Sequence, residues 1–180
     1  NKYLFYDSID TVNDHGLFIG ITFAYSDKWN YGLSWREIST YIMENCKNVE
    51  EAISVFDKFP LSAPKNFFIS DAEGNMAVVE HASEDFRVRY PEKNVLIQTN
   101  HFIHDDLKQY DTVLEHKPDH NTYIRYYKTL QRINRDKENI HFKDIFDVSK
   151  VSFQNCEKYN IKTIWNLGLD MKNKDYKMYT

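Results

Sequence analysis

The sequence predicts an α+β fold, with strands in blocks and helices in a tandem pair. Three observations predict it. Residues 4–9 and 17–23 are apolar, β-branched and aromatic runs separated by the polar turn Asn13-Asp14-His15-Gly16. Two helix-start signatures follow in tandem, at Ser34 and Asn48. The loop Asp71-Ala72-Glu73-Gly74-Asn75, with the Gly and Asn of a hairpin turn, then joins two further apolar runs.

Taken in order, the first two runs form a strand pair, and residues 29–32 form a loop. Ser34-Trp35-Arg36-Glu37 has capping-box spacing: the Ser hydroxyl accepts from the N–H of Glu37, and Glu37 reaches back. Ile38, Tyr41, Ile42 and Cys46 then form the stripe of an amphipathic helix. Asn48-Val49-Glu50-Glu51 opens a second helix, with Val49, Ala52, Ile53 and Phe56 on one face and Pro60 beyond its end. Residues 66–70 and 76–80 read as a hairpin, 86–90 as a half-exposed strand and 95–102 as another strand. Residues 103–121 are polar and read as a loop. Residues 122–133 read as a helix with Tyr123, Tyr127 and Leu130 on one side, which sets Arg125 off the stripe as a surface residue. A short helical stretch at 142–146 and a hairpin of 162–169 with 176–179 complete one domain over residues 1–180.

Composition narrows the function. Apolar residues make up 42% and charged residues 28%, enough for a core and too apolar for a disordered chain. With 23 Lys plus Arg against 27 Asp plus Glu, the net charge is −4, so nucleic acid is not an expected partner. No apolar run reaches the ~20 residues of a membrane span, so a membrane is not expected either, and a cytoplasmic location is the expectation. Residue 1 is Asn rather than Met, from which a processed or partial chain is expected.

The chemistry-bearing residues are few. There is no G-x-S-x-G elbow, P-loop, G-x-G-x-x-G, C-x-x-C or H-E-x-x-H. Cys46 falls on a helix stripe and reads as a buried, inert thiol; Cys156 has acidic company that raises a thiol pKa. His101, His104, His116 and His120 lie beside Asp105, Asp106, Asp111 and Asp119, which are zinc-ligand types without a closed spacing. A solvated loop is the plainer reading. Asn100 ends an apolar run, and Asn13 precedes a turn. Each is bland alone, yet a neutral amide can donate to a developing oxyanion.

Together these pieces form a series. Thr11-Val12-Asn13-Asp14-His15-Gly16-Leu17 resembles the G-x-N-E-x-G-L segment of the acyl-coenzyme A:6-aminopenicillanic acid acyltransferase-like family (the C45 peptidase group), N-terminal-nucleophile (Ntn) amide hydrolases related to the choloylglycine hydrolases. Residues 48–56, NVEEAISVF, resemble that family's capped helix. Asn66-Phe67-Phe68-Ile69-Ser70-Asp71, with Gly74 and then Val79-Glu80, resembles its hairpin. Thr99-Asn100-His101-Phe102 resembles its TNHF strand end, Thr122-x-x-Arg125 its S-x-x-R helix start, and Thr163-Ile164-Trp165-Asn166 its late T-x-W-S strand. Asp14 for Glu and Asn166 for Ser are departures.

The resemblance implies a four-layer αββα sandwich, here partial. It implies cleavage or transfer of acyl groups at linear amide C–N bonds through an N-terminal Cys whose own amine is the base. Carried over by position, Asn100 matches the oxyanion-hole asparagine, Asn13 a second oxyanion or substrate-side asparagine, and Arg125 the arginine near the nucleophile. The family's nucleophile precedes the Asn13 segment, and no Cys precedes Cys46 here. The expectation is therefore a nucleophile upstream of this chain, an inactive isolated chain, and pairing with the upstream segment. A small-molecule amide substrate, no cofactor, no metal and a homo-oligomer are also expected. Two other readings stand beside this one: a metal-dependent hydrolase using the His101 to His120 cluster, and a non-catalytic binding domain retaining the fold.

Overall fold

The computed structural model describes residues 9–113, 121–136, 141–153, 155–156, 161–163, 166–173 and 175–179. Its centre is an antiparallel sheet in which five strands lie in chain order: β1 (Asp10–Val12), β2 (Phe18–Phe23), β3 (Lys65–Ser70), β4 (Met76–His81) and β5 (Phe86–Arg89). Two helices between β2 and β3, α1 (Trp35–Asn45) and α2 (Val49–Phe56), cover one face. Beyond the sheet come α3 (Asp105–Lys108), α4 (Thr122–Asp136), α5 (Ile145–Ser149), and the strand pairs β6 (Asn155–Cys156) with β7 (Ile161–Lys162) and β8 (Asn166–Asp170) with β9 (Asp175–Tyr179).

Local chemistry explains the helices. Ser34 and Glu37 form the reciprocal capping box that opens α1, and the Asn48 side chain accepts from the Glu51 N–H to open α2. The α1 stripe runs through Ile38, Ile42, Met43 and Cys46, all buried. Tyr41, expected on it, is instead 37% exposed and meets the edge of Phe59 at 5.1 Å. Alternation does the rest. Ile19, Ile21, Phe67, Ile69, Ala77 and Val79 point from the sheet into α1 and α2, and full burial of each larger side chain is worth ~1.5–3 kcal/mol. At the edge of this core His81 stacks on Phe86 at 5.6 Å, beside Phe56, and its Nδ1 accepts from the Ser83 N–H.

The opposite face carries the polar residues. Thr22 pairs with Asn66, and Asn66 with Glu80, so the three stand in one row across β2, β3 and β4. Asn66 and Glu80 are both fully buried. These positions break the apolar runs that otherwise read as buried strand.

Several expectations change. The first strand, placed at residues 4–9, begins at Asp10; residues 1–8 lie outside the described residues. The strand expected over 95–102 is absent. Apart from a bridge between Glu92 and Val95, this segment is irregular, because side chains rather than a neighbouring strand satisfy its backbone. The loop expected over 103–121 contains the short helix α3, capped by the His104 imidazole. The late hairpin begins at Asn166, not residue 162, which belongs to β7. On α4 the buried positions are Thr122 and Arg125, while Tyr127 is 59% exposed. The apolar pattern misleads there because the inward face is polar.

Cys46 is buried at the end of α1, and burial together with the Glu51 charge pushes its thiol pKa up. In a Cys156→Ser background, a disulfide thiol reagent should therefore leave Cys46 unmodified in the native protein. Labelling as fast as that of a denatured control would count against this packing.

Candidate active site

Arg125 and Asn100, 25 residues apart, meet over the polar row: the Arg125 Nη2 donates to Asn100 Oδ1 at 3.0 Å. The Nε of Arg125 donates to Asn121 Oδ1 at 2.9 Å. Arg125 is buried, stands in the first turn of α4, and has no carboxylate partner among the described residues. Each condition is unfavourable to a cation. Burial pulls its pKa down, and the N-terminal end of a helix is the positive end of its dipole. Burial likewise raises the Tyr25 phenol, and the Arg125 charge acts on it in the opposite direction.

The bond between them sets the chemistry of Asn100. A guanidinium only donates, so the oxygen of the amide must face Arg125. The Nδ2 group therefore faces away, and among the described residues nothing accepts from it. A charge-assisted bond to the oxygen also polarises the amide and strengthens its N–H as a donor.

The backbone around Asn100 is held by side chains. Its N–H donates to Thr122 Oγ1 at 2.8 Å. The preceding carbonyl, Thr99 O, accepts from Thr22 Oγ1 at 3.0 Å, Gln98 Nε2 at 2.8 Å and Asn66 Nδ2 at 3.3 Å. The following carbonyl, His101 O, accepts from the same Gln98 and Asn66 amides. Asn66 Oδ1, buried, has no hydrogen-bond partner among the described residues.

Asn13 does not join this pair. Its Nδ2 donates to Met43 O at 3.2 Å and Cys46 O at 2.8 Å, carbonyls at the end of α1. Its Oδ1 accepts from the N–H groups of His15 and Leu17. The amide is saturated and has no donor left for an oxyanion. It also lies at the Phe18 end of β2, about 13 Å along the strand from Thr22. Gly16 completes the turn with φ +81°, and a Cβ there would stand 2.9 Å from that of Ala72. Asn13→Leu should thus cost about 2–3 kcal/mol by orphaning buried backbone groups, read by chemical denaturation. A loss under about 0.5 kcal/mol would contradict the clamp.

The histidine cluster divides. His101 is buried with Nδ1 3.0 Å from the hydroxyls of both Thr99 and Thr122, and its ring lies 4.1 Å from Tyr123. His104 caps α3. Among the described residues no three His, Cys, Asp or Glu side chains could hold a metal ion. His116, His120 and Asp119 lie outside the described residues, as does the side chain of Cys156. No helix of the described residues is long and apolar enough to cross a membrane.

Sequence reasoning missed Thr22, Gln98 and Asn121. Thr22 and Asn121 gave no signal; Gln98 stood beside the Thr99-Asn100 pair. Asn66 and Glu80 were quoted only as parts of a resemblance. Their signal was a polar residue inside an apolar run.

The architecture is α+β and superposes on part of the αββα sandwich of the Ntn hydrolases. Penicillin V acylase from Agrobacterium tumefaciens superposes with a TM-score of 0.67 over 96% of this chain and 62% of its own, at 20% identity. Two single-substitution variants of conjugated bile acid hydrolase from Clostridium perfringens superpose with TM-scores of 0.64 and 0.65, each over 96% of this chain and 69% of theirs, at 17% and 16% identity. The chain thus spans less than two thirds of the length of penicillin V acylase. No curated protein matches the sequence. The profile of the acyl-coenzyme A:6-aminopenicillanic acid acyl-transferase family matches residues 6–180, and the chain belongs to that family.

Proposed function

We propose that the full-length protein cleaves or transfers acyl groups at linear amide C–N bonds through a Cys acyl-enzyme, with Asn100 as the oxyanion donor. One observation carries this reading: the buried Arg125 fixes the Asn100 amide oxygen, and among the described residues nothing accepts from its N–H₂ side. A cation held in a helix's first turn with no carboxylate partner among the described residues breaks local rules, as functional sites do. When a nucleophile attacks an amide carbonyl, negative charge grows on its oxygen, and a pre-aimed N–H lowers that barrier. Arg125 holds and polarises the donor. Asn13 enters only as the clamp between the β1–β2 turn and α1.

The nucleophile in this reading is an N-terminal Cys outside residues 1–180. Cys46 is buried with a raised pKa, the reverse of an activated thiol. The isolated chain is then inactive. The substrate is a small-molecule amide; the neighbours are named for penicillin V and conjugated bile acids. Exposed Val12 on β1 and Ile9 just before it, with β1 at the sheet's edge among the described residues, support pairing with a further segment and self-association. The unpaired Cys46 accords with a cytoplasmic location.

The test is turnover of a chromogenic acyl amide by the full-length protein, with rapid acid quench and mass spectrometry. The expected result is a covalent adduct of acyl mass on an N-terminal Cys peptide, absent from residues 1–180 alone. Turnover without an adduct, or an adduct on Cys46 or Cys156, would overturn the reading.

A further inference from the structure

We propose that Glu80, Arg89 and Gln98 form a positioning relay that aims Asn100 from outside the site; the inference rests on the reading of Asn100 as the oxyanion donor. Residues 97–103 form no backbone ladder. Their polar groups instead meet side chains: Ile97 O takes Arg89, Phe102 N–H gives to Asp111, and Ile103 N–H gives to Glu80. The relay begins at Glu80, a fully buried carboxylate on the face of β4 opposite α1 and α2. A buried charge persists only when compensated. Glu80 accepts from Arg89 Nε and from the N–H groups of Ile103 at 2.8 Å and His104 at 3.0 Å.

Arg89 carries the constraint onward. With Nε held by Glu80, its planar fork delivers Nη2 to Ile97 O at 3.1 Å and to Gln98 Oε1. The Gln98 oxygen must face the guanidinium, so its Nε2 must face the other way. There it donates to Thr99 O and His101 O, both at 2.8 Å. Those carbonyls flank Asn100. No link can reverse, because a carboxylate only accepts and a guanidinium only donates. Buried ion pairs are weak stabilisers, and an apolar pair of equal volume would hold the sheet as well. It would not orient the Gln98 amide. None of the three side chains is bonded to Asn100 or Arg125, so they act on the site through the backbone on either side of Asn100.

The experiment uses the full-length protein with Gln98→Met, which leaves the Glu80–Arg89 pair intact, and Arg89→Lys, which keeps the charge and loses the fork. Misplacing an aimed group costs up to about 100-fold, so kcat should fall roughly 10–100-fold in Gln98→Met while KM changes less than about twofold. The sharper reading is a double-mutant cycle. If Gln98 acts through Asn100, adding Gln98→Met to Asn100→Ala costs nothing further; losses that multiply would overturn the relay. Hydrogen exchange supplies an arm independent of turnover. Both variants should speed exchange of a peptide covering residues 97–104 and leave β2 and β3 protected. Unchanged protection at 97–104 overturns the relay. A wild-type protein that cleaves no amide overturns the proposed function instead, and the exchange result still decides the relay.

Discussion

Asn100→Ala in the full-length protein should lower kcat by about 10²–10³-fold, the usual cost of losing one oxyanion donor. KM should hardly move. The Asn100 N–H₂ meets a carbonyl oxygen weakly in the ground state and strongly once that oxygen is charged, so its loss falls on the transition state. Stability should fall by about 1–3 kcal/mol, because the variant leaves the Nη2 of the buried Arg125 without the Asn100 oxygen. Asn100→Asp is the more severe variant. Its carboxylate would pair with Arg125 and set a negative charge where the oxyanion develops. Steady-state kinetics with one chromogenic amide reads both variants. Wild-type kcat in Asn100→Ala would remove Asn100 from the chemistry, whatever the fold.

The second large effect concerns acid. Burial pushes His81 down from 6.5 to about 4, opposed by the Asp85 charge. In the folded protein the ring stays neutral and accepts from the Ser83 N–H. The unfolded chain takes up the proton below about pH 6.5. The group's contribution is therefore fully present above pH 6.5, declines as pH falls, and is exhausted below about 4. A shift of this size corresponds to ~3 kcal/mol. Urea denaturation of wild type and His81→Gln at pH 7.5 and pH 4.5 measures it. The stability gap between the two proteins should shift toward the variant at pH 4.5 by about 2–3 kcal/mol. Burial raises Asp10 and Asp111, whose effects run the opposite way with pH, and both cancel in the comparison. A gap that is constant with pH would mean that His81 titrates normally.

What the sequence made legible follows from the range of each interaction. Helix starts are local: the Ser34 and Asn48 caps act over three residues, and both helices begin where those caps require. The Asp71–Asn75 turn is local too, with the Asp71 carboxylate accepting from the N–H groups of Glu73 and Asn75. The errors arose where partners are distant. Residues 95–102 have strand-like composition, but their hydrogen bonds go to side chains from Thr22 to Thr122. Arg125 read as a surface residue because hydrophobic periodicity sees only apolar faces, and the inward face of α4 carries Thr122 and Arg125. Asn100 and Arg125 were legible as a pair only through resemblance. Asn13 was legible as a special asparagine, but its bonds to Met43 and Cys46 span some thirty positions and gave it another role.

The absence of ladder bonds at residues 97–103 also bears on engineering. The curve of a hairpin travels with its own residues, so it can be grafted into another sheet. This curve cannot. Its shape is written at Thr22, Asn66, Glu80, Arg89, Gln98, Asp111 and Thr122. A transplanted Thr99-Asn100-His101-Phe102 segment would arrive without its geometry. Directed-evolution libraries aimed at placing Asn100 should therefore include those framework positions, of which only Gln98 adjoins the segment in the chain.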